Sequence, residues 1–199
     1  MSLAESFYQQ SLEFYRACLV HPFVQGLADG SLALACYQYY LAQDATFLGV
    51  YLRVLGMGLA KSWDRRTQLA FSELIQATRG EQEREIAEGA TLALPDPATA
   101  AYADFLLARG HRNLGEISAA LAPCLSLYAY LAGELGPVKP GHPYRTWFEY
   151  YSSPGYLVQV RTMDALLDLY ASGEDLPPYR RALELEEHFF ASAWQRGNK

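Results

Sequence analysis

The chain has 199 residues, of which 51% are hydrophobic and 19% charged, and its formal net charge is −6. That length fits one domain, or two small ones, with enough apolar side chains to bury a core without disulfide staples, and the composition excludes intrinsic disorder. Sixteen Lys and Arg against 22 Asp and Glu leave no basic stripe of the kind phosphate contacts demand, so no nucleic-acid partner is expected.

The opening stretch MSLAESFYQQ lacks a basic region followed by an apolar one, so it does not read as a signal peptide. Mean hydropathy is −0.08, and no uninterrupted apolar run approaches the roughly 18 residues that a membrane span needs. The expectation is a soluble cytoplasmic protein with no membrane partner. The first helical pattern covers Leu3 to Val20, with Phe7, Leu12, Tyr15 and Leu19 near one face. His21-Pro22 stops it, because the residue before a proline disfavours the α region. Ala28 to Ser31 reads as a turn in which Asp29 or Ser31 caps the next helix, Leu32 to Lys61, with an interruption near Gly56 and Gly58. A further helix spans Asp64 to Thr78 and ends at Arg79-Gly80. The charged stretch Glu81 to Glu88 then opens another, which stops before Pro95-Asp96-Pro97.

Ala98 to Ala108 begins a helix with Pro97 in its first turn. Leu114 to Leu135 is long and apolar, and Pro123 within it removes a backbone donor and should kink it. After the loop Gly136 to Gly141 come Tyr144 to Tyr151, Tyr156 to Ser172 and Pro178 to Arg196. No stretch alternates with period two, so the fold class is all-α, a single domain over residues 1–199 with seven to nine helices.

Three cysteines, Cys18, Cys36 and Cys124, are widely spaced and odd in number, which argues against a disulfide framework. No CxxC, HExxH, Walker A, GxGxxG or Glu-x-x-His string occurs, so zinc, nucleotide and di-iron readings lack their local signals. The histidines, His21, His111, His142 and His188, are scattered and are not read as catalysts or ligands.

Four features break the helical pattern. Tyr37, Tyr40, Asp44, Phe47 and Tyr51 fall at steps of three and four, which puts a carboxylate inside an aromatic stripe. Such an Asp either bonds a tyrosine hydroxyl in the core or faces a ligand. Leu183, Glu186 and Phe190 share a face with Glu187 close by, so one of the two glutamates points inward or sits at the stripe's edge. A buried Glu would have a raised pKa suited to acid catalysis near neutrality. Cys124 lies beside Pro123 and one turn before Tyr128; it is either inert core or a nucleophile, depending on what favours its thiolate. Tyr144, Trp147, Tyr150 and Tyr151 form either a packed core or interface, or a wall for an aromatic ligand.

Taken together, these residues resemble the TenA/thiaminase II family over nearly the whole chain. The resemblance is carried by His21-Pro22-Phe23-Val24, Tyr40-Leu41-Ala42-Gln43-Asp44 with Phe47, and Pro123-Cys124 with Tyr128. It continues with Tyr144-x-x-Trp147-x-x-x-Tyr151-Ser152-Ser153 and Glu186-x-x-Phe189-Phe190. It implies a haem-oxygenase-like helical bundle without haem, assembled as a homotetramer, that hydrolyses 4-amino-5-aminomethyl-2-methylpyrimidine to the hydroxymethyl pyrimidine of thiamin salvage. Many members also cleave thiamin, and no metal or organic cofactor is needed. By the same resemblance Cys124 is the nucleophile, Asp44 the carboxylate that holds the aminopyrimidine, and Glu186 the general acid. Glu186 is preferred to Glu187 because the family's Glu stands three residues before the Phe of a Phe-Trp pair. Phe47, Tyr102, Tyr128 and Tyr151 match substrate-binding residues.

The chain departs from the family pattern at Phe190, which replaces the usual Trp, and at Leu125 and Leu127. It also lacks the family's mid-sequence His in the stretch Glu81 to Ala90. Two alternatives stand beside this reading. One is a cofactor-free oxidase of the quinone-cofactor type on the same fold, against which the few Lys and Arg and the pairing of Cys124 with Asp44 count. The other is a non-catalytic pyrimidine-binding regulator, which would not need cysteine, aspartate and glutamate together.

Overall fold

Side-chain caps set most of the helix starts. Ser2 begins α1 (Leu3–Gln10), His21 begins α3 (Pro22–Asp29), and Asp64 begins α5 (Arg65–Ala87), each accepting a backbone N–H of its first turn. Asp96, Asn113 and Ser153 do the same for α6 (Pro97–Gly110), α7 (Leu114–Leu135) and α9 (Pro154–Tyr170). Each such cap stabilises its helix by about 1 kcal/mol. The other helices are α2 (Leu12–Leu19), α4 (Leu34–Lys61), α8 (Arg145–Tyr151) and α10 (Leu176–Gly197), with one 3-10 turn at Gly173–Asp175. This computed structural model describes residues 1–197, and among them there are ten α-helices and no strand.

Helix α7 is the centre of the bundle, packed against α9, α10, α6 and α4; α4 in turn packs on α5, α6 and α10. Among the described residues α7 is also the one helix long and apolar enough to cross a membrane by length and composition, although no uninterrupted apolar run reaches that length. In the fold, 67% of its most apolar stretch is buried against its neighbours.

The all-α class is as expected, but the helix count exceeds seven to nine for identifiable reasons. The pattern from Leu3 to Val20 breaks at Ser11, whose φ of −117° and ψ of 8° end α1. The break lets Phe7 meet Tyr179 edge-on while the Tyr15 hydroxyl reaches both Ser126 and Tyr179 at 2.6 Å. A short helix, α3, fills Pro22 to Asp29, with Gly30 at φ +81° closing it in the left-handed region that favours glycine. Asp29 and Ser31 do not cap α4; Asp29 accepts the Ser31 N–H at 2.8 Å and forms the turn, and α4 starts at Ala33 without a side-chain cap.

Helix α4 runs through Gly56 and Gly58 without interruption. Gly58 permits close packing instead, since a Cβ there would lie 2.4 Å from the Phe71 ring of α5. The two helices expected on either side of Gly80 are one, α5. An exposed helical glycine costs only about 1 kcal/mol relative to alanine, and buried Thr78, Glu81 and Glu85 hold the helix on both sides. Helix α7 likewise continues through Pro123.

Candidate active site

Five helices bring polar groups to one buried point. From α4, the stripe Tyr37, Tyr40, Asp44, Phe47 and Tyr51 is buried throughout. From α5, Thr78, Glu81 and Glu85 are also buried, again at steps of three and four. Cys124 and Tyr128 come from α7, Trp147 and Tyr151 from α8, and Glu186 from α10. Between them lies a small cavity lined by Asp44, Tyr51, Thr78, Glu81, Cys124, Tyr128 and Tyr151, with Tyr156 of α9 closing one side. A larger open groove between α5 and α9, lined by Arg65, Leu69, Val158 and Arg161, holds no cysteine, histidine or buried carboxylate.

Cys124 is half-buried, with surface on the cavity it lines and dense protein around it. Burial pushes its thiol well above the ordinary value, and the nearby carboxylates of Glu186, Asp44 and Glu81 push it further. The resting group is therefore a thiol. Glu186 lies within hydrogen-bonding reach of the thiol and accepts a hydrogen bond from the Tyr102 hydroxyl at 2.9 Å. Burial raises Glu186 to about 8, while the bonds from Tyr102 and Cys124 restrain the rise.

Asp44 is also shifted up, chiefly by burial, against the opposing effects of Glu85, Arg84 and the Tyr40 hydroxyl. It faces the cavity, and the Tyr40 hydroxyl acts on its carboxyl from the same helix face. The hydroxyl of Tyr40 is held from behind by the Trp147 indole N–H at 3.5 Å and by Tyr128. Glu85 is wholly buried beside Asp44; its oxygens accept no hydrogen bond, and its one ion-pair contact is Arg84 at 3.5 Å. Two carboxyls in contact resolve this by sharing one proton, and burial plus the Asp44 charge push Glu85 upward as the proton's holder.

Glu81 accepts the Tyr151 hydroxyl at 2.7 Å and is raised to about 7, by burial first and the charge of Asp44 second. Arg84 is the cation of this region. Its guanidinium lies 2.8 Å from Glu88, 3.5 Å from Glu85 and 3.9 Å from Glu81, and 4.3 Å over the Tyr150 ring.

Of the residues predicted from sequence, Asp44, Cys124, Tyr128 and Tyr151 line the cavity, and Glu186 and Tyr102 meet behind the thiol. Phe47 does not line the cavity; it packs on Tyr102 with ring centroids 4.6 Å apart and so backs the hydroxyl that bonds Glu186. Glu186 is 2% exposed and Glu187 half-buried, which settles which glutamate turns inward. Cys18 and Cys36 are core residues. His21 caps α3, and His142 bonds the Ala28 carbonyl at 3.1 Å. Glu81, Glu85, Tyr51 and Tyr156 were missed. The first two had a signal, since Thr78, Glu81 and Glu85 recur at helical spacing, but a charged run reads as a solvated face.

The sequence model of the TENA/THI-4/PQQC family matches residues 8–195. Aminopyrimidine aminohydrolase of Halalkalibacterium halodurans is 32% identical over 188 residues, covering 87% of this chain and 84% of that protein. The enzyme of the same name from Bacillus subtilis is 30% identical over 172 residues, covering 80% and 73%. Among solved structures, a TenA homologue from P. horikoshii OT3 superposes with a TM-score of 0.82 at 26% identity, covering 98% of this chain and 99% of that one. A TenA family transcription regulator from Silicibacter sp. gives a TM-score of 0.87 at 24% identity over 97% of each chain, a likeness of fold.

Proposed function

The chain belongs to the TENA/THI-4/PQQC family, and on that footing we propose that it is an aminopyrimidine aminohydrolase of thiamin salvage. Its substrate is 4-amino-5-aminomethyl-2-methylpyrimidine and its product the hydroxymethyl pyrimidine. The observation that carries the reading is the contact of Cys124 with Glu186 at the cavity that Asp44 also lines. The names of the relatives from H. halodurans and B. subtilis support the reaction class.

In this reading Asp44 accepts a hydrogen bond from the ring's amino group, with Tyr40 and Glu85 fixing its orientation. Glu186 takes the proton of Cys124, and the sulfur forms a bond to the ring carbon next to the substituted one, placing an electron pair on a ring nitrogen. That pair then expels the substituent from the exocyclic methylene. A substituent bound as the neutral amine takes the proton from Glu186 and leaves as ammonia. Water adds to the methylene, one of its protons returns through Glu186 to the sulfur, and the carbon–sulfur bond breaks. The sum is substrate plus water giving alcohol plus ammonia. Thiamin would follow the same path with its thiazole as the leaving group.

Incubation of the protein with the aminomethyl pyrimidine, and separately with thiamin, followed by mass spectrometry of the products, tests the assignment. Hydroxymethyl pyrimidine from the first compound is the expected result, and the ratio of the two rates ranks the substrates. Binding of the ring with no turnover of either compound would favour the non-catalytic regulator. Assembly into a homotetramer belongs to the same proposal. It is supported by the exposed apolar side chains Leu69, Val158 and Leu169 along the groove between α5 and α9, and sedimentation equilibrium measures it.

A further inference from the structure

The mechanism above leaves one cavity carboxyl without a task. Glu81 is 5% exposed, yet it lines the same cavity as Cys124 and Asp44, on the α5 wall that faces them. Its Oε1 takes the Tyr151 hydroxyl at 2.7 Å, and its nearest cation, Arg84, is 3.9 Å away and committed at 2.8 Å to Glu88. Glu81 shares this distant cation with two carboxylates that lie closer to it, so its charge is only partly compensated on the wall of a ligand cavity, where a positive charge on the ligand would complete the compensation.

We propose that Glu81 is a specificity-determining residue that receives the positively charged substituent of the pyrimidine, so that the site selects cationic leaving groups over neutral ones. This rests on the aminopyrimidine reading. The groups it would take are a primary ammonium on the exocyclic methylene or a quaternary thiazolium; a hydroxyl or an acylated amine at that position lacks the charge. The Tyr151 hydroxyl and the helical frame of Thr78 and Glu85 hold the carboxyl in place, one turn from Asp44's partner. An amine that binds as its ammonium leaves as ammonia without a donated proton. The proton that Glu186 took from Cys124 then returns to the sulfur when it is expelled. The surplus proton of the attacking water departs with the ammonia as ammonium.

The test is the affinity of a matched pair, the aminomethyl and hydroxymethyl pyrimidines, for Cys124→Ser protein, which holds ligand without converting it. The cationic member should bind about tenfold or more tightly than the neutral one, the size expected of a hydrogen bond to a charged partner. Glu81→Gln in the same background should bring the two affinities together by weakening the cation alone, and Glu81→Asp should restore part of the preference. Equal weakening of both ligands by Glu81→Gln would overturn the proposal while leaving the hydrolase reading intact. If Glu81→Gln fails to fold, the pair measured on the parent protein still decides, because equal or inverted affinities contradict a carboxylate that recognises charge. Failure of the parent protein to bind either ligand would instead sink the aminopyrimidine reading, and this inference with it.

Discussion

The hydroxyl of Tyr102 donates to Glu186 at 2.9 Å, joining two residues 84 positions apart behind the one cysteine that faces the cavity. The bond favours the ionised form of Glu186, the form that can take a proton from Cys124. Without it, burial would push the carboxyl further toward its protonated form.

Removing that donor has a defined consequence. Tyr102→Phe should raise the Glu186 value above about 8, so the rise of kcat/KM with pH moves to higher pH. At pH 7.5 the rate should fall about tenfold or more, since a hydrogen bond to a charged group contributes about 1.5–3 kcal/mol. A pH–rate profile of the two proteins checks both. An unmoved profile would remove Tyr102 from the proton path.

The cysteine itself should be a poor nucleophile toward outside reagents. Its thiol is held well above the ordinary value by burial and by three carboxylates. Alkylation of Cys124 by iodoacetamide at pH 7 should therefore be slow compared with a free thiol, and ring ligands should slow it further. Peptide mapping by mass spectrometry separates it from Cys18 and Cys36.

The contact between Asp44 and Glu85 requires one proton between two carboxyls. Glu85→Gln supplies an amide N–H in its place and should leave the fold and ring binding nearly unchanged. Glu85→Ala leaves a void and removes a partner of Arg84, and should cost about 2–4 kcal/mol of stability. Urea unfolding of the two variants measures the difference.

Stability should fall as pH rises through neutrality. Glu81 and Glu186 hold protons up to about 7 and about 8 in the folded chain, against an ordinary value of 4.5. The folded state then binds more protons than the unfolded one between those limits. The advantage is complete below the ordinary value and is lost as pH climbs past the folded values. Glu81→Gln and Glu186→Gln should each flatten the drop in Tm between pH 5 and pH 8.5, as differential scanning calorimetry would show.

The sequence made the bundle legible because helical periodicity and capping residues agree along most of the chain. Where the two conflict, at Ser11 and Gly80, tertiary packing decided: Tyr15 and Tyr179 favour a break in one place, and buried Thr78 and Glu81 favour continuity in the other. The site was legible where a polar residue interrupts an apolar stripe, as with Asp44, Cys124 and Glu186. Glu81 and Glu85 stayed hidden because a buried carboxyl in a charged run differs from its exposed neighbours only in direction, which the partner helices fix. Phe47 shares the stripe but packs on Tyr102 instead of lining the cavity, a difference that helical spacing alone does not reveal.

In the proposed reaction Cys124 adds to the ring while Glu186 moves the protons. Turnover of the aminomethyl pyrimidine in ¹⁸O-labelled water by the native protein, Cys124→Ser and Glu186→Gln tests it most directly. The native protein should release ammonia and place the label in the hydroxymethyl product, and both variants should lose at least about 99% of that rate while still binding the ring. Labelled product from Cys124→Ser at the native rate would contradict covalent addition, and with it the mechanism built on this pair.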